Sequence, residues 1–272
     1  KKYFLKLSLL LIANYLYSTN FLKVMGLFKD ILADNESLFL NEDALDPDYT
    51  PPIIKYRENQ QKYVAACIKP LLIGRNGKNL FITGKPGIGK TVAVRHILNE
   101  LNKETEEIEV LYINCWKKDT AYKVALEICD QLNYKFIQNR RTDELLKEIA
   151  KILNKKSAVI VLDEADKLTE VSVIYNLLED IFKKAIILIT NEKEWLAELD
   201  QRIRSRLMPE ILEFLPYNFE ETAGILKQRI DFSLVPNSLE NEAFELLTKK
   251  TFEVSDIRAG LFLLKESANA AE

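Results

Sequence analysis

The chain predicts an α/β fold: a parallel five-stranded sheet with helices on both faces, followed by a small all-helical domain. Three observations carry this. Gly84-Lys85-Pro86-Gly87-Ile88-Gly89-Lys90-Thr91 matches G-x-x-x-x-G-K-[ST] and lies between a short apolar strand, 79–83, and a helical run, 91–101. Strands and helices then alternate up to residue 216, and the runs 157–162 and 185–189 are almost continuously apolar, as in strands buried on both faces of a parallel sheet. Beyond Pro216 the strands stop, and 220–230, 239–250 and 255–268 read as three helices.

Taken in order, residues 1–24 have a basic start and an apolar run that resembles a leader peptide. The run is interrupted and shorter than the ~20 residues a membrane-spanning helix needs. It reads as a soluble tail, either sequence upstream of a start at Met25 or a packed accessory helix, and no membrane association is expected. Residues 30–53 are polar and turn-rich, and the prolines Pro47, Pro51 and Pro52 mark an extended linker. Residues 56–72 show a helical period through Tyr56, Tyr63, Val64, Cys67, Ile68 and Leu71, ended by the turn Gly74-Arg75-Asn76-Gly77. Then come a strand at 108–114, a helix at 120–132, an amphipathic helix at 143–153 with Thr142 as N-cap, and a weaker strand at 210–214. The expected divisions are a tail and linker at 1–53, an α/β domain at 54–216 and a helical domain at 217–272.

The composition is that of an ordinary globular protein, with 272 residues, 47% hydrophobic and 29% charged. A net charge of −3 gives no global attraction to nucleic acid, so any such contact must come from a local patch. The 3 cysteines argue against a disulfide framework and for a reducing, cytoplasmic compartment, and a single histidine leaves no zinc site.

The chemistry-bearing residues begin with the glycine-rich loop. A loop between a strand and a helix N-terminus aims backbone N–H groups at an anion. Residues 84–92, Val92 included, are therefore the candidate nucleotide cradle, with Lys90 reaching the outer phosphates and Thr91 ligating Mg²⁺. Val159-Ile160-Val161-Leu162 ends in Asp163-Glu164, which sets two carboxylates at the tip of a buried strand. Asp163 suits the metal and Glu164 the role of catalytic base. Asp163-Glu164-Ala165-Asp166 also spells a helicase signature, discounted because too little chain follows residue 216 for a second nucleotide-binding domain. Asn191 ends the strand 185–189 region and can bond a phosphate or the attacking water. Arg202, Arg204 and Arg206 offer planar donor forks for phosphoryl charge. Arg258, in the first turn of the last helix, is unfavourably placed for the helix dipole unless an anion faces it.

The order of these motifs resembles the AAA+ ATPases and, within them, the archaeal Orc1/Cdc6 replication initiators. The shared stretches are Leu45-Asp46-Pro47-Asp48-Tyr49, Tyr56-Arg57-Glu58, Ile113-Asn114-Cys115 with Thr120-Ala121-Tyr122, Leu162-Asp163-Glu164, Ser205-Arg206-Leu207 with Pro216-Tyr217, and Ser255-Asp256-Ile257-Arg258. The resemblance covers about residues 42–268. It implies that Tyr56 and Arg57 lie by the adenine of ATP or ADP, and that Lys90 and Thr91 are the Walker A residues. It makes Asp163 and Glu164 the Walker B pair and Asn191 sensor 1. Arg206 becomes a finger reaching a neighbour's ATP, hence self-association, and Arg258 becomes sensor 2. The helices between 120 and 153 stand where the family has a DNA-touching insertion, with Lys135, Arg140 and Arg141 as its basic patch. Two departures stand out. The chain ends where the family usually continues into a winged-helix domain, which implies a fragment or weak or partner-mediated DNA binding, and Lys55 stands where proline is more usual.

The resemblance implies a Mg²⁺-dependent, slow ATPase switch, completed by a neighbouring subunit, that binds origin duplex DNA and helps recruit or load the replicative helicase. The competing expectation is a non-initiator AAA+ regulator that assembles on DNA, of the transposition-targeting type. A third is a nucleotide-binding interaction module without meaningful hydrolysis.

Overall fold

The computed structural model describes residues 37–47 and 49–272. The expectations for the tail 1–24 lie outside the described residues. The described residues fall into two compact units, one formed by residues 52–215 and one that joins residues up to 51 to residues 216–272.

The first unit is built on five parallel strands: β1 (Leu80–Thr83), β2 (Ile108–Asn114), β3 (Ser157–Asp163), β4 (Lys184–Thr190) and β5 (Glu210–Glu213). Their order across the sheet is β2-β3-β4-β1-β5. The burial of each strand follows its place. Every residue of β3 is buried, whereas β2 and β5, at the two edges, alternate with partly exposed positions. A strand covered by helices on both faces must be apolar throughout, and an edge strand need not be. Alternate residues of β3 serve opposite cores: Ile160 and Leu162 pack with Val124, Ile128, Ile149 and Leu177, and Val159 and Val161 with Val64, Leu80, Val94 and Phe214.

The helices supplying those cores are α1 (Glu58–Ile68), α2 (Lys90–Glu104), α3 (Ala121–Gln131), α4 (Thr142–Leu153) and α5 (Ser172–Asp180), with two short turns, α6 (Trp195–Glu198) and α7 (Gln201–Leu207). The helix expected over 56–72 stops at Ile68 and tightens into a 3-10 segment, Lys69–Ile73. Pro70, which has no N–H and crowds the preceding turn, explains the break. Thr142 is the first helical residue of α4, not its cap. Arg141 takes that place, its backbone N–H donating to Glu144 Oε2 at 3.2 Å.

The second unit contains α8 (Phe219–Ser233), α9 (Asn241–Val254) and α10 (Ile257–Ala271) around Leu226, Leu247, Leu261 and Leu264. The extended linker expected over 30–53 is corrected over its described part. Glu42–Leu45 forms a 3-10 turn whose Ala44 and Leu45 are buried, and Phe39 bridges Leu234 in antiparallel fashion. The prolines flank this segment without preventing it from joining a core. Among the described residues no helix is long and apolar enough to cross a membrane.

Candidate functional site

The strand order places three chain ends side by side. β1 lies next to β4, and β4 next to β3, so the segments leaving their carboxyl ends share one rim of the sheet. In an open parallel sheet that rim, at a crossover in strand order, is where ligands bind.

The loop after β1 is shaped by its glycines. A Cβ on Gly84 would come within 2.4 Å of the Phe214 carbonyl oxygen, so only glycine lets the loop pass β5. Gly89 caps α2 at φ 88°, a left-handed conformation natural to glycine. No side chain caps this helix start and no acidic residue lies in its first turn. Its N-terminal amides and dipole therefore face outward, ready for an anion.

Four of the expected site residues, Lys90, Thr91, Asp163 and Asn191, converge here. Lys90, only 6% exposed, donates from Nζ to the carbonyls of Gly84 at 2.6 Å and Lys85 at 2.8 Å and to Asn191 Oδ1 at 2.8 Å. Thr91 donates its hydroxyl to Asp163 Oδ2 at 2.7 Å. Residues 72 and 101 positions apart in sequence thus meet within hydrogen-bond distance. Glu164 follows Asp163 in the left-handed region, at φ 54° and ψ 45°. A non-glycine residue held there stores roughly 1–3 kcal/mol of strain. Glu164 is partly exposed, and its backbone N–H donates to Asp163 Oδ1 at 2.9 Å.

Tyr56 and Arg57 lie where α1 begins. Tyr56 has φ 63° and donates its N–H to Glu58 Oε1 at 3.0 Å. Arg57 is buried, and its guanidinium donates to the Ile88 carbonyl at 2.9 and 3.2 Å and to the Leu215 carbonyl at 2.6 Å. Arg57 is thereby committed to the backbone of the glycine-rich loop, which it braces. Lys85 and Pro86 are exposed on the loop and Ile88 is buried under it.

Arg206 is held on its own subunit. Its guanidinium pairs with Glu179 and lies over the Tyr175 ring, 5.2 Å from the centroid, both on α5. Arg258 belongs to the helical unit. Asp256 caps α10 by accepting the Arg258 N–H at 2.9 Å and sits 3.9 Å from its guanidinium, which supplies the anion that the dipole argument called for.

Two further residues join the site: Tyr112, which had not been singled out, and Asp166, which had been named only in the discounted helicase signature. Asp166 accepts a hydrogen bond from Thr190 Oγ1 at 2.8 Å and pairs with Lys167 at 2.6 Å, tying the exit of β3 to the end of β4. Burial pushes its carboxyl up, yet the Lys167 and Thr190 contacts outweigh this and hold it below the ordinary value. Tyr112 donates its hydroxyl to Asp163 Oδ2 at 2.5 Å. Burial first, then the Asp163 charge, pushes the phenol well above its usual range and keeps it a donor. Neither could be found from one sequence, because only strand register shows that they reach the rim.

A hydroxyl and a carboxylate sharing a proton at 2.7 Å form an oxygen donor set suited to a hard cation such as Mg²⁺. The uncapped helix start and the buried ammonium suit a polyphosphate. The geometry is that of a nucleotide-binding rim.

Comparison with known proteins agrees. Residues 74–199 match the family model described as AAA domain. The ORC1-type DNA replication protein 2 of Methanothermobacter thermautotrophicus is 30% identical over 264 residues, 90% of this chain and 68% of that protein. The chain belongs to the ORC1-type DNA replication protein family. The ORC1-type protein 1 of Archaeoglobus fulgidus is 32% identical, over 91% of this chain and 64% of its own length. Among solved structures, the Aeropyrum pernix Orc1 protein in complex with DNA has a TM-score of 0.77 at 25% identity, covering 85% of this chain and 64% of that one. Cdc6p from Pyrobaculum aerophilum shares the fold, with a TM-score of 0.76 at 22% identity. The chain spans about two thirds of the length of these relatives. Membership makes an ATPase-type domain and nucleotide binding the coarse functional assignment for this ORC1-type chain.

Proposed function

We propose that this chain is an ATP-switched initiator subunit: it binds ATP with Mg²⁺, hydrolyses it slowly, contacts replication-origin duplex DNA and helps recruit or load the replicative helicase. The observation that supports it most is the meeting of Lys90 with Asn191 and of Thr91 with Asp163 at one sheet rim.

In this reading residues 84–92 cradle the phosphates, Lys90 offsets their charge, and Arg57 keeps the Ile88 carbonyl turned away from them. Thr91 and Asp163 hold Mg²⁺, which supplies charge neutralisation on the phosphate oxygens when bound. Asn191 orients the attacking water and Glu164 accepts its proton. Arg206 must leave Glu179 to reach a neighbour's nucleotide, and a cation of this kind acting in trans is worth ~10³–10⁵ in rate. The isolated subunit therefore turns over slowly. Arg258 reports the nucleotide to the helical unit.

DNA contact is assigned to the loop between α3 and α4, where Lys135, Arg140 and Arg141 surround Phe136, whose side chain is 75% exposed. Cations track phosphates and an exposed ring offers a stacking or wedging surface. Glu164→Gln is expected to retain ATP affinity while losing about 10²–10⁴ in hydrolysis. In that ATP-held protein, Arg140→Glu with Arg141→Glu should weaken duplex binding and flatten its salt dependence. Unchanged hydrolysis removes Glu164 as base, and unchanged DNA affinity removes the loop as contact.

A further inference from the structure

Tyr112 is fixed from four sides. Its backbone lies on the sheet edge, where among the described residues no further strand pairs with β2. The side-chain amide of Gln131 fills that edge instead, accepting the Tyr112 N–H at 3.0 Å and donating to the Tyr112 carbonyl at 2.8 Å. Its ring lies beneath the Arg95 guanidinium, 4.4 Å from the centroid. Its hydroxyl ends on Asp163 Oδ2 at 2.5 Å.

The Asp163 side of this contact explains its consequence. The carboxylate is 2% exposed and cannot rely on water for its hydrogen bonds. Oδ2 accepts from Thr91 and Tyr112, and Oδ1 accepts from the Glu164 N–H at 2.9 Å. A carboxylate has about four acceptor positions, so about one is left, on Oδ1. Without the phenol, Oδ2 would keep only the Thr91 hydroxyl, a rotor that must itself turn when it ligates a cation. The carboxylate could then swing about its last bond. A phenylalanine would pack equally well under Arg95, so packing alone does not account for the hydroxyl.

We propose that Tyr112 is a positioning residue for the Mg²⁺ site, its hydroxyl locking the Asp163 carboxylate in the orientation it shares with Thr91. This rests on the nucleotide-binding reading above and assigns a second support to it. Groups that orient metal-binding side chains typically contribute 10–100-fold to metal affinity.

The test is a titration of a fluorescent ATP analogue against wild type and Tyr112→Phe, in EDTA and across a Mg²⁺ series. Tyr112→Phe is expected to leave the metal-free nucleotide affinity within about twofold and to raise the half-saturating Mg²⁺ by about 10–100-fold. The metal-free affinity reports the fold and the glycine-rich loop together. Tyr112→Met, without the ring, is the second variant, with the same expectation. A Mg²⁺ midpoint equal to wild type in either folded variant overturns the proposal while leaving the nucleotide-binding reading intact. Wild type that binds no nucleotide in either condition overturns both.

Discussion

The two units of this chain hold polar groups in their interiors for opposite reasons. In the sheet unit, Lys90 opens α2 after the glycine-rich loop, and Asp163 and Asp166 lie at and just beyond the end of β3, so that all three meet on one rim. In the helical unit the buried charged group among the described residues is Arg229. It donates to the Ala44 carbonyl at 2.9 Å and the Tyr49 carbonyl at 3.1 Å, and stacks over the Tyr49 ring at 5.1 Å. Those partners are 185 and 180 residues away in sequence. Burial pushes the Arg229 guanidinium below its ordinary value, a cost offset by those carbonyls. In the proposed reading the rim's buried charge serves a ligand, whereas Arg229 joins the early segment to the last three helices. Buried charge is a guide to function only when its partners also leave room for a ligand.

The largest effect should come from Lys90→Ala. If the rim is a binding site, ATP affinity falls by about 100-fold or more, since hydrogen bonds to a charged group contribute roughly 1.5–3 kcal/mol each. The stabilisation of the protein by added nucleotide, read as a shift in Tm, should disappear with it. A variant that still shows the full Tm shift would make the lysine structural, like Arg229, and erase the contrast.

Arg229→Leu tests the other side. Loss of two charged donors, with two carbonyls left unsatisfied, should destabilise the helical unit by about 2–4 kcal/mol. The two tryptophans, Trp116 and Trp195, both lie between residues 52 and 215, so their fluorescence reports the sheet unit. Amide exchange should rise in α8 to α10 while the tryptophan unfolding midpoint stays in place. An equal shift in both signals would show that the units unfold together.

How much of this was legible in the sequence follows the same division. The rim was readable because each of its parts is a local string: a glycine spacing, an apolar run ending in Asp163-Glu164, another ending in Asn191. The central strands β1, β3 and β4 were readable because burial on both faces forces continuous apolar runs. Arg229 and Tyr112 have no string of their own, and the string that holds Asp166 was discounted. Their roles arise from register and packing across long sequence separations, which a single sequence does not encode locally. The early segment misled for a related reason: its prolines signal an irregular backbone, and irregular backbone can still bury Ala44 and Leu45. The short helix α5, with Val173, Ile174 and Leu177 inward, was passed over because its nine residues show barely two turns of periodicity.

Asp166 provides the smallest test and lies between the two cases. It is buried charge at the rim, yet its partners, Thr190 and Lys167, leave it looking structural. Asp166→Asn keeps the shape and the acceptor and loses the charge, which should cost about 1–2 kcal/mol at neutral pH. The carboxyl is held below its ordinary value in the folded protein, so its contribution is fully present above the unfolded value of about 3.9 and is lost as pH falls through the lower folded one. Urea unfolding of wild type and variant at pH 7, 5 and 3 should therefore give a full difference at the first two values and a smaller one at the third. A difference that persists unchanged at pH 3 would mean that the charge of Asp166 is not what holds β3 to β4. If the variant also keeps wild-type ATP affinity, Asp166 sits with Arg229 as a fastening, although it stands in the middle of the nucleotide site.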